Sequence, residues 1–591
     1  MFDDHGGWIS DPQFMEQCGS TQMLAHGLGH PVNDAVTHFE VTLPGEYKIY
    51  VRTRNWTSRW SDRPTPGAFR VLIDGADTGY MFGTGSAQWS WDGGVGVSLA
   101  PGHHELRVHD LHGFDARFDT VLLTRSDEAP DGSVEGIQAL REALLPSAAL
   151  RSDAGHFDFV VMGGGCAGMC AALAAARSGL KVALIQDRKV LGGNNSSEVR
   201  VGLGGRLNIG KYPALGYLLN EFGPARKGNA RPADVYEDDK KLEIILKEPN
   251  VRLLLGYKVV SVHKEEGSIK WVEAEQTDDY SRLRVSGDLF ADCTGDGTPG
   301  VLAGAGWAMG RESSSEFGEP SAPEVRDGQT LGASLQWYCE EDESPVTFPD
   351  IDWGLEMDDS VAQRVRRGQW YWEVGMRDDQ MAEAEMIRDY GMYVAYSNWS
   401  WLKNHASYKD EYSHSRLAWV CHVLGKRESR RLVGLKVLTE NDLREFRQYP
   451  DGCVSTSWYI DDHEPDPNNA ARYSDPWLSR GCLTPLDYYP IPFRCFCSAD
   501  IPNLMMAGRN ISVTHLVLGT TRVMRTCAMM GEVIGLAASL CKREGILPGE
   551  IWPGHWDGLD ALMKRGAGDP EVPYLQTYTL IDTTAERSEE C

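Results

Sequence analysis

The sequence predicts an α/β protein whose Rossmann-like domain is interrupted by an inserted region and preceded by an all-β sandwich domain. Three observations indicate this fold. About the first 126 residues contain short alternating segments separated by Pro-Gly and Asp-Gly turns. From Phe157 the chain shows a buried strand, a glycine-rich loop, an Ala-rich helix and a second strand. Near residue 501 the strand-then-helix pattern returns after a long stretch rich in Trp and Tyr.

The N-terminal segments indicate an antiparallel sandwich. "AFRVLIDGADTGYMF" turns at Asp74-Gly75, and neighbouring segments turn at Pro44-Gly45 and at Pro101-Gly102. Short strands at about 10-residue spacing with such turns are typical of two-sheet β domains. We therefore predict an accessory domain over residues 1–126.

The rest of the chain divides at changes in composition and pattern. We expect a linker with one helix near 134–145, a divided nucleotide-binding domain, and an inserted region that carries the substrate wall. The predicted boundaries are 127–156 for the linker, 157–306 and 501–545 for the two parts of the nucleotide-binding domain, 307–500 for the inserted substrate or cap region, and 546–591 for a C-terminal extension.

Composition bears on the partners and the compartment. With 58 Lys and Arg against 85 Asp and Glu, the formal net charge is −27, which disfavours nucleic acid as a partner. No apolar stretch in the sequence approaches the roughly 18 residues of a membrane span, and the N-terminus lacks the pattern of a signal peptide. The 13 cysteines have no regular spacing, which favours reduced thiols and a cytoplasmic location. A small-molecule substrate is the expected partner, and a homo-oligomer is compatible with the sequence.

The segment "FDFVVMGGGCAGMCAALAAARSGLKVALIQ" matches a dinucleotide-binding fingerprint. Gly163 permits the tight turn, Gly165 lets the backbone approach a pyrophosphate, and Gly168 lets the helix pack against the strand. Cys166 and Ala167 begin the helix, whose free N–H groups favour phosphate. Strand, glycines, helix and second strand follow in order within about 30 residues, which makes the pattern specific.

The end of the second strand departs from the usual fingerprint. Gln186 stands where Asp or Glu usually accepts the ribose hydroxyls. A glutamine amide can accept one such bond and donate another. Asp187 is the alternative acceptor if the strand ends one residue later.

Four further segments resemble those of the glutathione-reductase-like FAD-dependent oxidoreductases. They are "VLGGNNSSEVRVGLGG" (190–205), "LFADCTGDGTPG" (289–300), "GKRESRR" (425–431) and "NLMMAGRNISVTH" (503–515). The resemblance covers about 157–545, and the N-terminal domain resembles the golvesin or xanthan-lyase-type accessory domains. It implies a Rossmann-like FAD-binding domain and FAD as the cofactor.

The resemblance also implies roles for individual residues. The glycine loop would hold the pyrophosphate, Gln186, Asp187 and Arg188 would meet the adenosine ribose, and the backbone at Val259 would contact adenine. The remaining cofactor contacts would come from Gly193, Asn194, Asn195, Ser196 and Ser197, from Thr294, Gly295 and Asp296, from Gly508 and Arg509, and from the helix start between Arg522 and Thr526. Cys293 departs from the commoner ATGDG pattern, which leaves the backbone contacts of that motif intact.

The loop after the Gly508-Arg509 turn carries the predicted catalytic residue. His515 precedes a helix that should face the flavin, so its imidazole is placed to take a proton from an alcohol as hydride leaves. The alternative is that His515 only hydrogen-bonds the loop or the flavin.

Two charged groups have a functional and a structural interpretation. Glu428, Arg430 and Arg431 stand in a helix-like context, either as a network that supports the substrate wall or as a structural salt bridge between domains. His463 lies among acids in "YIDDHEPD", but adjacent residues splay their side chains. We therefore predict a solvated acidic loop there and no metal site.

Aromatic residues in the inserted region suggest the substrate class. Trp337, Trp370 and Trp372 belong to the segment expected to cap the flavin, with Arg430 as a further candidate. Trp faces stack on sugar C–H surfaces, although core packing is the default role for any one of them. Together with the sandwich domain they favour a sugar, glycoside or polyol.

We expect an FAD-dependent oxidoreductase that transfers a hydride from a C–OH carbon to flavin N5, with the electron acceptor left open. One alternative is a redox-neutral enzyme that cleaves a glycoside after transient oxidation of the sugar. Another is a non-catalytic carbohydrate-binding protein with a vestigial flavin fold.

Overall fold

A computed structural model describes residues 2–573 of the 591 residues, so the last part of the predicted C-terminal extension lies outside the described residues. The first domain contains one short helix, α1 (Met15–Cys18), and two antiparallel sheets. The strands are β1 (Ile9–Asp11), β2 (Gln22–Ala25), β3 (Ala35–Val41), β4 (Gly45–Thr53), β5 (Phe69–Ile73), β6 (Ala76–Asp77), β7 (Ser90–Leu99), β8 (Gly102–Asp110) and β9 (Ala116–Thr124).

The two sheets enclose one apolar core, which confirms the predicted sandwich. One sheet has the order β1-β2-β9-β4-β7 and the other β3-β8-β5-β6. Asp74 and Gly75 both have positive φ (50° and 79°), as a tight two-residue hairpin requires, and they join β5 to β6. The two Pro-Gly turns instead join strands of different sheets, because β3 leads to β4 and β7 leads to β8.

The second domain is built on a mixed sheet with the order β12-β11-β10-β15-β14-β13, to which β26 adds by pairing with β15. A helix within the predicted linker, α2 (Val134–Leu144), precedes it. The sheet strands are β10 (Arg151–Met162), β11 (Val182–Gln186), β12 (Val251–Leu255), β13 (Tyr257–Glu265), β14 (Ser268–Gln276), β15 (Arg282–Asp292) and β26 (Leu504–Met506). Strands β10, β11, β12, β15 and β26 are parallel, as the fingerprint predicts.

Helices cover this sheet. They are α3 (Cys166–Arg177), α4 (Tyr217–Phe222), α5 (Asp238–Lys247), α6 (Thr298–Leu302), α11 (His515–Thr521), α12 (Met524–Glu544) and α13 (Trp556–Arg565). By length and composition α12 could cross a membrane, contrary to the expectation that no stretch is long and apolar enough, but 94% of its most apolar 18-residue window is buried inside the protein. It packs along α3 as a core helix.

The inserted region carries small two-stranded sheets around the long helix α8 (Ala384–Asn404). The other helices are α7 (Ser314–Phe317), α9 (Glu440–Arg444) and α10 (Pro467–Arg472). The strands are β16 (Trp307–Ala308), β17 (Ala333–Ser334), β18 (Trp337–Glu341), β19 (Glu373–Val374), β20 (Ser415–Val420), β21 (Arg431–Leu432), β22 (Gly452–Ser455), β23 (Ile460–Pro465), β24 (Ser479–Thr484) and β25 (Pro490–Pro492).

The core of the inserted region is aromatic and extends into the sandwich domain. Trp56 and Phe114 of the sandwich belong to the same buried cluster as Trp353, Tyr393 and Tyr396. The indole of Trp56 and the ring of Phe114 both contact Trp353, with centroids 5.8 and 5.2 Å apart. The sandwich is therefore packed into the body of the protein.

Candidate functional site

Three loops follow parallel strands of the central sheet and meet at one edge. Gly163–Gly165 follows β10, Cys293–Asp296 follows β15, and Ala507–Arg509 follows β26. The N–H of Cys293 donates to the carbonyl of Met162 over 2.8 Å, and the N–H of Ala507 donates to the carbonyl of Asp292 over 3.2 Å. Because parallel strands present their carboxyl ends at one edge, the three loops line a common cavity.

The first loop needs its glycines. Gly163 has φ +103°, and a Cβ there would lie 2.5 Å from the carbonyl oxygen of Cys293. A Cβ on Gly168 would lie 1.8 Å from the carbonyl oxygen of Gly163. A side chain at Gly163 would push the loop after β15 away, and one at Gly168 would force the helix away from the first loop, so the close approach inferred for Gly168 is a property of the fold.

Two helices begin at the cavity without a side-chain cap. The N-cap positions are Gly165 for α3 and Val523 for α12, and neither side chain accepts a bond from the first turn. The first residues of both helices, Cys166 and Met524, line the cavity. The N–H of Arg525 in α12 already donates to the carbonyl of Gly204 at 3.1 Å. The positive ends of both helix dipoles are suited to an anionic group.

The charged groups of the cavity also fit a dinucleotide. Asp296 is held by the ammonium of Lys426 at 3.0 Å and by the guanidinium of Arg509 at 2.6 Å. Burial opposes ionisation of Asp296, but these cations outweigh it and hold the pKa of the carboxyl well below its usual range. Among the described residues, the buried Nε atoms of Arg509 and Arg522 have no hydrogen-bond partner. Such unused donors match the oxygens of a pyrophosphate and a flavin, so the residues present fit FAD.

Most of the predicted cofactor residues line this cavity. They are Gly163, Gly165, Cys166, Ala167, Gln186, Asp187, Arg188, Gly193, Asn194, Val259, Thr294, Gly295, Asp296, Gly508, Arg509 and Arg522. Gly168, Asn195, Ser196, Ser197 and Thr526 are not part of the lining, and all but Ser197 are buried behind it.

The side chain of Gln186 bonds protein backbone at both of its polar ends. Its side-chain oxygen accepts the N–H of Gly164 at 2.7 Å, and its NH2 donates to the carbonyl of Val190 at 3.1 Å. One polar end of the amide therefore holds the glycine loop, and the other holds the segment that follows β11. Asp187 also lines the cavity, and no partner for its carboxylate is found within residues 2–573.

The segment after Gly193 supports the cavity from behind. The hydroxyl of Ser196 donates to the carbonyl of Gly193 at 2.7 Å, and the N–H of Ser197 donates to the carboxylate of Asp238. The hydroxyl of Thr526 pairs with that of Ser457 at 3.0 Å. These residues shape the wall without facing its interior.

His515 is buried outside the cavity lining and is only 2% exposed. Its Nδ1 lies 2.8 Å from Glu428 and its Nε2 lies 3.1 Å from Asp462. Burial disfavours the protonated ring, but the two carboxylates outweigh this effect and raise the pKa of His515 to about 10. The ring is an imidazolium at neutral pH and holds no free lone pair for a substrate proton.

Glu428 and Arg431 form a buried structural ion pair within the inserted region and not the predicted salt bridge between domains. Arg431 is ion-paired with Glu428 and, at 2.7 Å, with Glu312, and all three side chains are nearly inaccessible. The segment is a loop leading into β21, not the helix that its sequence suggested. Arg430 donates to the carbonyl of Asp296 at 2.9 Å and to the hydroxyl of Thr298, so it braces that loop from outside the lining.

The solvated loop predicted around His463 is wrong. His463 lies on β23 and is 4% exposed. Both of its ring nitrogens have carboxylate partners: Nδ1 lies 2.7 Å from Glu373 and Nε2 lies 3.0 Å from Asp461. No group of His, Cys, Asp and Glu side chains in the described part of the chain is arranged to hold a metal ion.

The three candidate tryptophans lie in two different environments. Trp370 lines the cavity and is 43% exposed, whereas Trp337 and Trp372 are 1% and 0% exposed. The latter two contact each other with centroids 5.3 Å apart, and Trp372 also contacts Trp477 at 5.0 Å. Trp337 and Trp372 thus belong to the aromatic core, the default role for a tryptophan.

Sequence reasoning missed several lining residues. Lys426 and Arg427 line the cavity, although the "GKRESRR" segment directed attention to its later charges. Gln336 lines it with a buried side-chain oxygen that has no partner among the described residues. The stretch Gln13–Gln17 of the sandwich domain also reaches the lining. The "GKR" basic pair was a usable signal, whereas nothing in the local sequence marks Gln13–Gln17.

Comparison with known proteins identifies the family. A family model described as FAD dependent oxidoreductase matches residues 158–556. No curated protein is significantly similar in sequence. Among solved structures, a geranylgeranyl bacteriochlorophyll reductase-like protein from Thermoplasma acidophilum aligns over 70% of this chain and 84% of its own, with 12% identity and a TM-score of 0.31.

Two other solved structures have similarly low sequence identity and TM-score. The Sdh1 complex of Mycobacterium smegmatis aligns over 67% of this chain and 69% of its own, with 13% identity and a TM-score of 0.28. An E. coli quinol fumarate reductase FrdA variant aligns over 70% and 73%, with 11% identity and a TM-score of 0.26. The family match spans more than half of the chain and contains all three loops of the cavity, so this chain belongs to the FAD dependent oxidoreductase family and is an enzyme that uses FAD.

Proposed function

We propose that this enzyme dehydrogenates a C–OH group of a small hydroxylated molecule, with a sugar, glycoside or polyol as the substrate class. FAD, when bound, supplies N5 as the hydride acceptor. The observation that carries the proposal is the wall contributed by the inserted region, where the indole of Trp370 and the guanidinium of Arg427 both line the cavity.

Trp370 supplies an apolar face. One edge of its indole is close to β24, since a Cβ on Gly481 would lie 3.5 Å from its Cη2 atom. The ring of His463 lies on another side, with centroids 5.4 Å apart. A half-exposed indole held in this way is suited to contact the C–H face of a sugar ring or a polyol.

A chain of alternating charges fixes two donors around Trp370. Arg427 is ion-paired with Glu373, Glu373 bonds His463, His463 bonds Asp461, and Asp461 bonds Arg522 at 2.8 Å. Burial disfavours protonation of His463, but the flanking carboxylates raise its pKa. Both ends of the chain line the cavity, so two guanidinium groups are held ready to donate to substrate hydroxyls.

His515 braces this chain and is a positioning residue in the proposal. It bonds Glu428, the neighbour of Arg427, and Asp462, the neighbour of Asp461. A protonated imidazole between two carboxylates fixes both segments, whereas accepting a substrate proton would require a neutral ring. The base role predicted from the sequence is therefore replaced by an orienting role.

The test is anaerobic flavin reduction by a panel of sugars, glycosides and polyols, followed at about 450 nm. At least one class should bleach the flavin. In Trp370→Ala, the KM for that compound should rise about tenfold, the equivalent of about 1.4 kcal/mol of lost contact.

Trp307→Ala is the matched control, because Trp307 is 47% exposed and lies outside the cavity lining. The KM of this variant for the same compound should equal that of the wild type. Turnover without any added acceptor would instead favour a redox-neutral reaction. If the FAD-loaded protein is reduced by no hydroxylated compound of the panel, the substrate proposal is wrong even though FAD is bound.

A further inference from the structure

The sandwich domain contributes to the lining of the FAD cavity. The loop after β1 carries Gln13 and Phe14, helix α1 carries Glu16 and Gln17, and all four line the cavity. The family match begins only at residue 158 and does not include them.

Gln13 joins this segment to the inserted region. Its side-chain NH2 donates to the carbonyl of His422 at 2.9 Å, and its side-chain oxygen accepts the N–H of Leu424 at 3.0 Å. The amide therefore pairs with the backbone on both sides of Val423 as a neighbouring strand would. Gln17 adds a second bond of this kind, from its NH2 to the carbonyl of Met381 at 2.6 Å.

Lys258 joins the same segment to the dinucleotide domain. Its ammonium lies 3.4 Å from the carbonyl of Gln13 and 3.9 Å from the carboxylate of Glu16. Lys258 precedes Val259, whose backbone is the predicted adenine contact. The segment thus extends from the adenosine side of the cavity to the inserted region.

The segment is anchored and does not resemble a mobile lid. Phe14 is 2% exposed, and the guanidinium of Arg388 lies 4.7 Å from the centre of its ring. Arg388 is also ion-paired at 2.9 Å with Asp11, and both of these side chains are 1% exposed. Moving the segment would uncover a buried ion pair, which is costly.

We propose that Asp11–Cys18 of the sandwich domain is the outer wall of the adenosine half of the FAD site, and that it retains the cofactor. FAD leaves only when the bonds of Gln13 and Gln17 to the inserted region break. The inference rests on FAD binding and is independent of the substrate class proposed above.

The test compares FAD release and affinity in the full-length variants Gln13→Ala, Gln17→Ala and the double variant. Release from the loaded protein is followed by the recovery of flavin fluorescence after dilution, and Kd by titration of the apoprotein. The double variant should release FAD at least tenfold faster and bind it more weakly. Gln88→Ala, an exposed glutamine of the same domain, should stay within twofold of the wild type.

A second measurement does not depend on a variant folding. In hydrogen–deuterium exchange of the wild-type chain, the peptide that contains residues 11–18 should gain protection when FAD binds, and the peptide that contains β5 should not. Unchanged protection of residues 11–18, or a double variant with the release rate and Kd of the wild type, would overturn the proposal.

Discussion

We expect the carboxylate of Asp187 to receive the ribose hydroxyls. The amide of Gln186, one residue earlier, already bonds protein backbone at both ends, at Gly164 and at Val190. Asp187 lines the same cavity, and its oxygens are free of protein partners within the described range. A carboxylate accepts hydroxyl hydrogen bonds more strongly than a neutral amide does.

The variant Asp187→Asn tests this assignment. It keeps one acceptor oxygen and loses the charge, so Kd for FAD should rise about tenfold, which corresponds to about 1.4 kcal/mol. The measurement is a fluorescence titration of the apoprotein. Asp239→Asn, an exposed carboxylate at the start of α5, serves as the control and should not change Kd. An unchanged Kd in Asp187→Asn would assign the ribose contact elsewhere.

His515 should make stability depend on pH in a defined direction. Its pKa is raised from the ordinary 6.5 to about 10 in the folded chain, so the folded state binds the extra proton more tightly. The stabilisation is fully present below about pH 6.5 and is lost as pH rises towards 10. We expect a loss on the order of 5 kcal/mol across this range.

The variant His515→Asn removes this titration. The difference in denaturant midpoint between wild type and variant should be largest at pH 6 and should shrink by pH 9.5. A constant difference at both pH values would mean that the ring is not protonated in the folded chain. Flavin reduction by the substrate should slow in the variant at pH 6 and pH 9 alike, since the role is positional and not that of a titrating base.

The packing of α3 on α12 sets the geometry of the glycine loop at the level of elements. A Cβ on Gly531 of α12 would lie 1.9 Å from the carbonyl oxygen of Ala167 in α3. Ala167 also lines the cavity, so the two helices and the cofactor site share one contact. Close approach of the helix backbones is therefore part of the site.

Gly531→Ala should destabilise the chain even though alanine is the better helix former. The gain in helix propensity is about 1 kcal/mol, whereas the overlap with backbone costs about 1–3 kcal/mol or more. Thermal unfolding should show a lower midpoint, and FAD affinity should fall with it. Gly328→Ala, where an added Cβ meets nothing within 4 Å, is the control. Equal midpoints would mean that the helices separate freely.

The elements of the dinucleotide domain were predictable because their signals are local. Strand, glycine loop and helix are adjacent in the chain, and the contact that requires Gly168 lies within the loop itself. The inserted region offers no such signal: Trp370 and Trp372 are two positions apart, yet one lines the cavity and the other is core. Gln13 meets Leu424 across 411 positions, a contact that only the folded chain reveals. The accessory-family resemblance of the sandwich stays a prediction.

At the scale of the whole molecule, a buried ionic cluster joins the sandwich to the inserted region. Arg54 and Arg117 of the sandwich face Glu385 and Asp389 of α8. Burial opposes ionisation of Glu385, but Arg54, Arg117 and Arg388 lower its pKa to about 2. The cluster and the shared aromatic core together make the two regions one cooperative unit, which is what a cofactor wall supplied by the sandwich requires.

Arg117→Met should break this unit. Arg117 and its partner Asp389 are both 0% exposed and lie 2.7 Å apart, so truncation leaves two carboxylates short of a buried cation. Removing one member of such a pair costs about 3–5 kcal/mol, whereas loss of an exposed pair costs about 1 kcal/mol or less. Differential scanning calorimetry should show one transition for the wild type and a separate, earlier transition of the sandwich in Arg117→Met.

The control is Lys48→Met, which removes the ion pair between Lys48 of the sandwich and the exposed Asp127. This variant should keep the single transition. If Arg117→Met also unfolds in one transition at the wild-type temperature, Arg117 does not hold the sandwich in place, and retention of FAD by its wall must depend on the remaining ion pairs and the aromatic contacts.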